Sequence, residues 1–429
     1  MPRAKPRRAR DIGTRSQVSR ILMALTESRA LYRILSLDGG GTWALTQVRA
    51  LMHLFGEDAK GHEVLRRFRL VVANSGGSTI AASLAVDQRL SDIVRFLKSS
   101  DDVNPGFEPT ALAAVLPSSI ARRLPIARFT TPGKYRNLRR ELGPRAESPL
   151  PSWRNDDPTL PDLVIPAFDF DRERVTLFRT NPNSPAVTQA GAPPIGATLL
   201  DAVNASTTAP IVFFDRPAEV PDGQGRRRFW DGAMAGYNNP IMLGVIEALA
   251  SRVPRSDIRV LSIGSGSVPM PPPGARGPDG RPLDLPTRSG PIADLAKVST
   301  CIVDDPPEAA TFAAHVVLGG DVPRVPGAVI TSGPVVRLSA TVRRVRVGDA
   351  WIWPAAFEPA EWARFATLDL AAHAPPETDL IDRLALAWIA GGVPNQPIRA
   401  DADMNADIGH DTVAAAVRDV RSWLFAPAP

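Results

Sequence analysis

At 429 residues and 44% hydrophobic composition, the chain can bury a large core, and its length allows one to three domains. Fifty basic against 45 acidic residues leave a formal charge of +5; this is too slight a bias to argue for nucleic acid, although it favours an anionic membrane surface over a repelled one. The lone cysteine, Cys301, excludes an internal disulfide framework and fits a reducing compartment. No apolar run reaches the roughly 18 residues needed to span a bilayer, and none reads as a signal peptide, so a soluble, cytoplasmic protein is expected.

Residues 1 to 10 carry five Arg or Lys and no acid, and Val18, Ile21, Leu22 and Leu25 then fall on one helical face. A basic tail with an amphipathic helix can lie on an anionic membrane, which leaves peripheral membrane contact open. The blander reading, a disordered tail and a helix packed on the domain, is preferred because the apolar face is short and poor in aromatics. A transit peptide is disfavoured by Asp11 and Glu27.

From Leu31 the pattern alternates. A strand (Tyr32 to Leu37) ends at Asp38-Gly39-Gly40-Gly41 and a helix follows (Leu45 to Phe55). A second strand (Phe68 to Ala73) ends at Asn74-Ser75-Gly76-Gly77, again with a helix after it (Ser78 to Val86). Such βα units predict a parallel sheet with helices on both faces. Residues 91 to 143 read as helical, broken at Asn104-Pro105-Gly106, Pro117 and Thr131-Pro132-Gly133, and could cap a site. Strands are expected at Leu163 to Phe168, at Arg174 to Phe178 and running into Asp231, then at Arg259 to Ile263. Helices are expected near Ala197 to Ser206 and over Ile241 to Ala250. The 43 prolines cluster at Glu147 to Asp162, Asn181 to Pro194 and Pro269 to Pro291, which read as surface loops. Further on, a helix near Ile292 to Val317, strands at Val335 to Leu338 and Val345 to Trp353, and helices near Asp379 to Ala390 and His410 to Leu424 read as a continuation of the same fold. We therefore expect residues 1–30 as tail and helix and 31–429 as one domain with a variable C-terminal third.

Three segments carry chemistry. The glycine loop Gly39 to Gly41 offers unobstructed backbone N–H groups, the turn at Ser75 offers a nucleophile, and Phe229-Trp230-Asp231-Gly232-Ala233 puts an acid at the end of an apolar run, with Asn238-Asn239-Pro240 beyond it. Alone, a triple-glycine turn fits a phosphate-binding or merely tight loop equally well. The preceding Asp38, the serine turn and the distal Asp-Gly favour a hydrolase-type site.

Together these segments resemble the patatin-like phospholipase family. Asp38 to Gly41 match its glycine-rich loop, the turn at Ser75 its nucleophile elbow, and Asp231 to Ala233 its Asp-Gly-Gly/Ala motif. Ala205-Ser206-Thr207-Thr208-Ala209-Pro210 is similar to its Ala-Ser-x-Ala-x-Pro segment, Leu163 to Phe178 to its strand pair, and Leu261 to Gly266 to its Leu-Ser-Leu-Gly-Thr-Gly strand end. The resemblance spans about residues 31 to 268 in the family's order. It implies a three-layer α/β/α fold with a mostly parallel central sheet, a Ser75–Asp231 dyad, an oxyanion hole from Gly39, Gly40 and Gly41, supporting roles for Asp38, Gly76, Gly77 and Gly232, and a phospholipid or lysophospholipid substrate cleaved through an acyl-enzyme. No cofactor, metal or nucleic acid is required.

The chain departs from the family's pattern in places. Position 73 is Ala where the elbow usually has Gly, tolerable only if the turn there needs no positive φ. Thr42-Trp43-Ala44 replaces the usual x-Arg-Gly, so a cation expected beside the loop is missing. The stretch to Asn238-Asn239-Pro240 is one residue longer than is common. Hence a rival reading stays open, a lipid-binding or regulatory protein whose site has drifted; retention of Ser75 and Asp231 favours the enzyme. His53, His62, His315, His373 and His410 lie in no triad context. Gly264-Ser265-Gly266-Ser267 lacks the Lys of a phosphate loop, and Asp401 to Asp407 lacks the glycine and closing Glu of a calcium loop. An ordinary aspartate is a feeble base, so burial beside Phe229-Trp230 should raise the basicity of Asp231.

Overall fold

The computed structural model describes residues 31–98, 108–115, 126–154, 157–186, 192–223, 225–283, 290, 308–325, 327–365, 367–368 and 370–426. The basic tail and amphipathic stripe before residue 31, the breaks at Asn104-Pro105-Gly106 and Pro117, and the first part of the expected helix near Ile292 lie outside the described residues.

Eight strands form the central sheet: β1 (Tyr32–Leu37), β2 (Leu70–Ala73), β3 (Asp162–Asp169), β4 (Arg174–Arg179), β5 (Ala218–Asp222), β6 (Gly225–Asp231), β7 (Ile258–Ile263) and β8 (Val335–Leu338). The order is β5-β6-β3-β2-β1-β7-β8, with β4 also paired to β3. Strands β3, β2, β1, β7 and β8 run parallel, while β4 and β6 run antiparallel to β3 and β5 antiparallel to β6.

The central strands are apolar at consecutive positions because both faces are covered. Leu35, Leu37, Val71 and Ala73 enter one core, and Ile34, Leu70 and Val72 the other. The first core lies under helices Leu45–Phe55, Ser75–Ala85, Pro375–Ile389 and Val413–Leu424, the second under helix Ile241–Ala250 and the helical residues 308–317. Three layers result, as the resemblance implies. The C-terminal third is part of that packing, with Asp382 taking both Arg49 Nε at 2.7 Å and Lys98 Nζ at 2.8 Å.

β3 fixes the site. Its Val164 to Asp169 pair with β4 along one edge. On the other edge Asp162 to Val164 pair with β2, and Ala167 to Asp169 pair with β6. Strands β2 and β6 therefore meet end to end, and the two residues between their registers are Ile165 and Pro166. Backbone groups alternate along a strand; Leu163 O accepts from Thr180 on the β4 side, and Phe170 N donates to Arg228 on the β6 side. Even-numbered positions thus face the gap, where the missing N–H of Pro166 leaves no partner unsatisfied.

Two expectations need correction. Thr131-Pro132-Gly133 is no break but the first turn of helix Thr131–Leu142; Thr130 Oγ1 caps it by accepting from Gly133 N at 3.2 Å, and proline is tolerated there because the first turn needs no N–H partner. The strand pattern from Val345 to Trp353 is a hairpin, Val345–Val347 paired with Ala350–Ile352, because Gly348 (φ 61°) and Asp349 form a two-residue turn. β5, the hairpin partner of β6, carries no strong pattern and is not among the expected strands. The acidic run from Asp401 closes a small hairpin, with Asp401 Oδ1 accepting from Asp403 N and Asn405 N at 2.9 Å.

Candidate active site

β2 ends at Ala73, Asn74 follows in extended form at φ −118°, and Ser75 then turns to φ 48° at the start of helix Ser75–Ala85. A serine in this region stores about 1–2 kcal/mol of strain, which the surrounding structure holds in place. Ala73 keeps a negative φ, so the elbow asks for no glycine there. Glycine is required at the next two positions by close approach: a Cβ on Gly76 would lie 2.5 Å from Gly41 O, and one on Gly77 would lie 2.6 Å from both Leu37 O and Asp38 O. The elbow and the glycine loop are pressed together.

The loop is anchored at several points. Asp38 N donates to Ile263 O at 3.1 Å, Gly39 N to Asn238 O at 2.8 Å, Thr42 N to Leu370 O at 2.9 Å, and Ser265 Oγ donates to Gly39 O at 2.6 Å. The N–H of Gly39 is thus committed, whereas among the described residues no acceptor is paired with the N–H of Gly40 or Gly41. A Cβ on Gly39 would stand 3.1 Å from Ser75 Cβ, so the loop lies flush against the serine.

Asp231 ends β6, its N donating to Thr208 O at 2.8 Å. Its Oδ1 accepts from Asn74 Nδ2 at 3.1 Å and from Ala233 N at 2.9 Å, and its carboxyl also meets the Ser75 side chain. Serine and aspartate are buried, 8% and 4% exposed. Burial raises the carboxyl's pKa above its ordinary value, against the bonds from Ala233, Ser75 and Asn74 and the nearby charge of Lys134. Gly232 lies next to the β2/β6 gap: a Cβ there would stand 2.4 Å from Asn74 Oδ1 and 2.6 Å from Pro166 O.

The end of helix Leu199–Ser206 and the residues just after it hold the pair from behind. Ser206 Oγ accepts from Ser75 N at 3.0 Å and donates to Asn74 Oδ1 at 3.2 Å. Thr208, which supplies the carbonyl for Asp231, also binds a residue that sequence reading missed, Lys134 of helix Thr131–Leu142. Its Nζ contacts Asn204 O at 2.8 Å, Thr207 Oγ1 at 2.9 Å and Thr208 Oγ1 at 2.5 Å, over the Phe214 ring. The available signal was composition, five lysines against forty-five arginines, with this one inside a helix.

Asp38 is buried in an ion pair with Arg337, the guanidinium giving Asp38 Oδ2 a 2.6 Å bond and Ser262 Oγ a 2.8 Å bond. Burial raises the Asp38 pKa, and Arg337 opposes that shift. The loop therefore does have a cation behind it, delivered by β8. Trp43, which stands where the family has x-Arg-Gly, packs on Phe365 at 6.2 Å. His62, His315 and His410 are engaged by Ala85 O, Asp321 O and Asp419. Among the described residues no group of three or more His, Cys, Asp or Glu could hold a metal, and no helix is long and apolar enough to cross a membrane. A polar cleft of about 630 Å³, lined by Asp171, Arg172, Arg174, Asp222 and Arg227 among others, includes none of the loop or elbow residues.

A three-layer α/β sheet with a serine elbow, a buried carboxylate and a glycine loop converging at strand ends is the layout of a hydrolase-type site. Residues 35–245 match the family model for the patatin-like phospholipases, and over that stretch the chain belongs to the patatin-like phospholipase family. A cUMP-AMP-activated phospholipase of Escherichia coli is 27% identical over 253 residues, covering 56% of this chain and 67% of the relative. Among solved structures, human GIVD cytosolic phospholipase A2 overlaps 95% of this chain and 62% of its own at 13% identity with a TM-score of 0.40. VipD from Legionella pneumophila overlaps 84% and 67% at 12% identity with a TM-score of 0.33. The family supports lipid hydrolase activity.

Proposed function

We propose that the protein cleaves carboxylic esters of phospholipids or lysophospholipids through a Ser75–Asp231 dyad. The observation that carries this reading is the strained elbow, which holds Ser75 at φ 48° with its side chain against the buried carboxyl of Asp231. Asp231 takes the hydroxyl proton as Oγ attacks the ester carbonyl, and the developing oxyanion is met by the two uncommitted donors, Gly40 N–H and Gly41 N–H. The proton then passes to the leaving alcohol, giving acyl-Ser75. In the second half Asp231 deprotonates water, the hydroxide attacks the acyl carbon, and the fatty acid leaves as the proton returns to Ser75.

The test is a lipid panel and active-site labelling with a fluorophosphonate, each with wild type, Ser75→Ala and Asp231→Asn. Both variants should lose hydrolysis while staying folded, and their combination should be no worse than either alone, since residues acting as a unit are not additive. More than a few per cent of wild-type activity in a clean Ser75→Ala preparation would remove the dyad, and a wild type that neither hydrolyses lipid nor takes the label would favour the drifted lipid-binding protein. Because the pair is buried and the E. coli relative is described as cUMP-AMP-activated, each assay is run with and without that nucleotide.

A further inference from the structure

We propose that Lys134 is a positioning residue for the candidate dyad, its ammonium holding Asp231 ionised and pinning the Ser206–Thr208 turn on which both dyad members lean. The proposal rests on the dyad reading for its catalytic meaning and on Lys134 alone for its charge.

Hydrogen-bond accounting favours the charged form of Lys134. The Thr207 hydroxyl donates to Val203 O at 2.7 Å and the Thr208 hydroxyl to Asn204 O at 2.6 Å, so each Oγ1 can only accept from Lys134. Asn204 O, the third contact, is a carbonyl and also only accepts. Three acceptors need three hydrogens; a neutral amine has two and would set its lone pair against an oxygen, whereas an ammonium satisfies all three. Burial pulls the lysine's pKa well below its ordinary value, and the Asp231 carboxylate pushes back. A buried ammonium without an anion nearby would be costly, and Asp231 is that anion.

Among the described residues no other charge faces the pair. On the lysine's own helix Arg136 pairs with Glu108, Arg139 with Glu147 and Arg140 with Glu141 at the surface. On the neighbouring helix the Asp201 carboxylate accepts from the hydroxyl of the N-cap, Thr198. Arg128 lies over the Phe129 and Phe213 rings with its Nε on Val212 O. The dependence on lysine is also chemical: arginine's planar fork cannot present three donors to a threefold nest of oxygens.

Two measurements test this. In Lys134→Met, the acid limb of the kcat/KM–pH profile should move up by about one pH unit, because Asp231 loses the opposite charge of Lys134. A purely structural lysine would lower activity at all pH values and leave the limb in place. If that variant does not fold, 15N-lysine NMR of the wild type decides, with only five lysines to resolve. The Lys134 Nζ should be charged at pH 7 and should lose its proton at lower pH in Asp231→Asn. A neutral Nζ at pH 7, an unchanged titration in Asp231→Asn, or an unmoved acid limb in folded Lys134→Met would each overturn the proposal. The NMR coupling stands whether or not Ser75→Ala is inactive, so failure of the dyad and failure of the lysine are separable.

Discussion

Replacing Arg337 by Met should destabilise the protein in a strongly pH-dependent way. Asp38 and Arg337 have side chains 4% exposed each, and Asp38 Oδ1 has no partner among the described residues, so the variant leaves a carboxylate without its Arg337 counter-charge behind the glycine loop. The carboxyl can always escape by taking a proton, which limits the cost. From an unfolded pKa of about 3.9, holding that proton at pH 7 costs roughly 4 kcal/mol, and at pH 5 about 1.5 kcal/mol. The first figure agrees with the 3–5 kcal/mol typical of breaking a buried pair from one side. A carboxyl whose folded pKa is raised makes the folded state bind more protons, so stability is highest below the unfolded value and falls as pH rises toward the folded one. Burial gives the wild type this sign already; removing Arg337 carries Asp38 further the same way, so the gap between the two proteins opens with pH. Chemical denaturation at pH 5 and pH 7 measures it, alongside Arg337→Met/Asp38→Asn, which should recover much of the loss at pH 7. Equal gaps at both pH values, or no recovery in the double variant, would refute the reasoning.

Ser206→Ala should leave Ser75 N and Asn74 Oδ1 each short of a partner, costing about 1–3 kcal/mol of stability; turnover should fall at least about tenfold with little change in KM, and unchanged turnover would detach Ser206 from the site. Gly77→Ala puts a Cβ against two backbone oxygens that cannot rotate away, so fluorophosphonate labelling should fall together with a loss of about 1–3 kcal/mol by denaturation; normal labelling would mean that the elbow is looser than described. Gly40→Ala brings a Cβ to 2.0 Å from Ser265 Oγ and tilts a candidate oxyanion donor, so kcat should drop far more than affinity. An affinity loss at constant kcat would assign the loop to ground-state binding instead.

Much of the frame was legible because glycine loops and apolar runs are local signals. Strand Tyr32–Leu37 and helices Leu45–Phe55 and Ile241–Ala250 lie where hydrophobic period and turn residues put them. The elbow was legible too, since Ser75 sits where a strand pattern gives way to small residues. What the sequence hid was set by tertiary contact. Arg337 restores a cation behind the loop from a strand far along the chain, and nothing in Thr42-Trp43-Ala44 announces it. Lys134 was concealed by Pro132-Gly133, which reads as a stop signal but here opens a helix. β5 alternates buried Ala218 and Val220 with exposed Glu219 and Pro221, but the run is five residues long and carries a proline, so it reads as a loop.

The end-to-end meeting of β2 and β6 makes β3 a ruler. The span from elbow to acid is measured by Ile165 and Pro166, not by the length of chain that joins them. Exposed connections such as Asp171 to Glu173, between β3 and β4, can therefore lengthen or shrink without moving the serine from the aspartate. A one-residue slip of β6 along β3 would carry Asp231 about 3.3 Å and turn its side chain to the opposite face. Tolerance to insertion should thus be high in the loops and close to nil within β3, and a lineage of such proteins could diversify its rim while two adjacent residues in one strand keep the distance between the reacting groups.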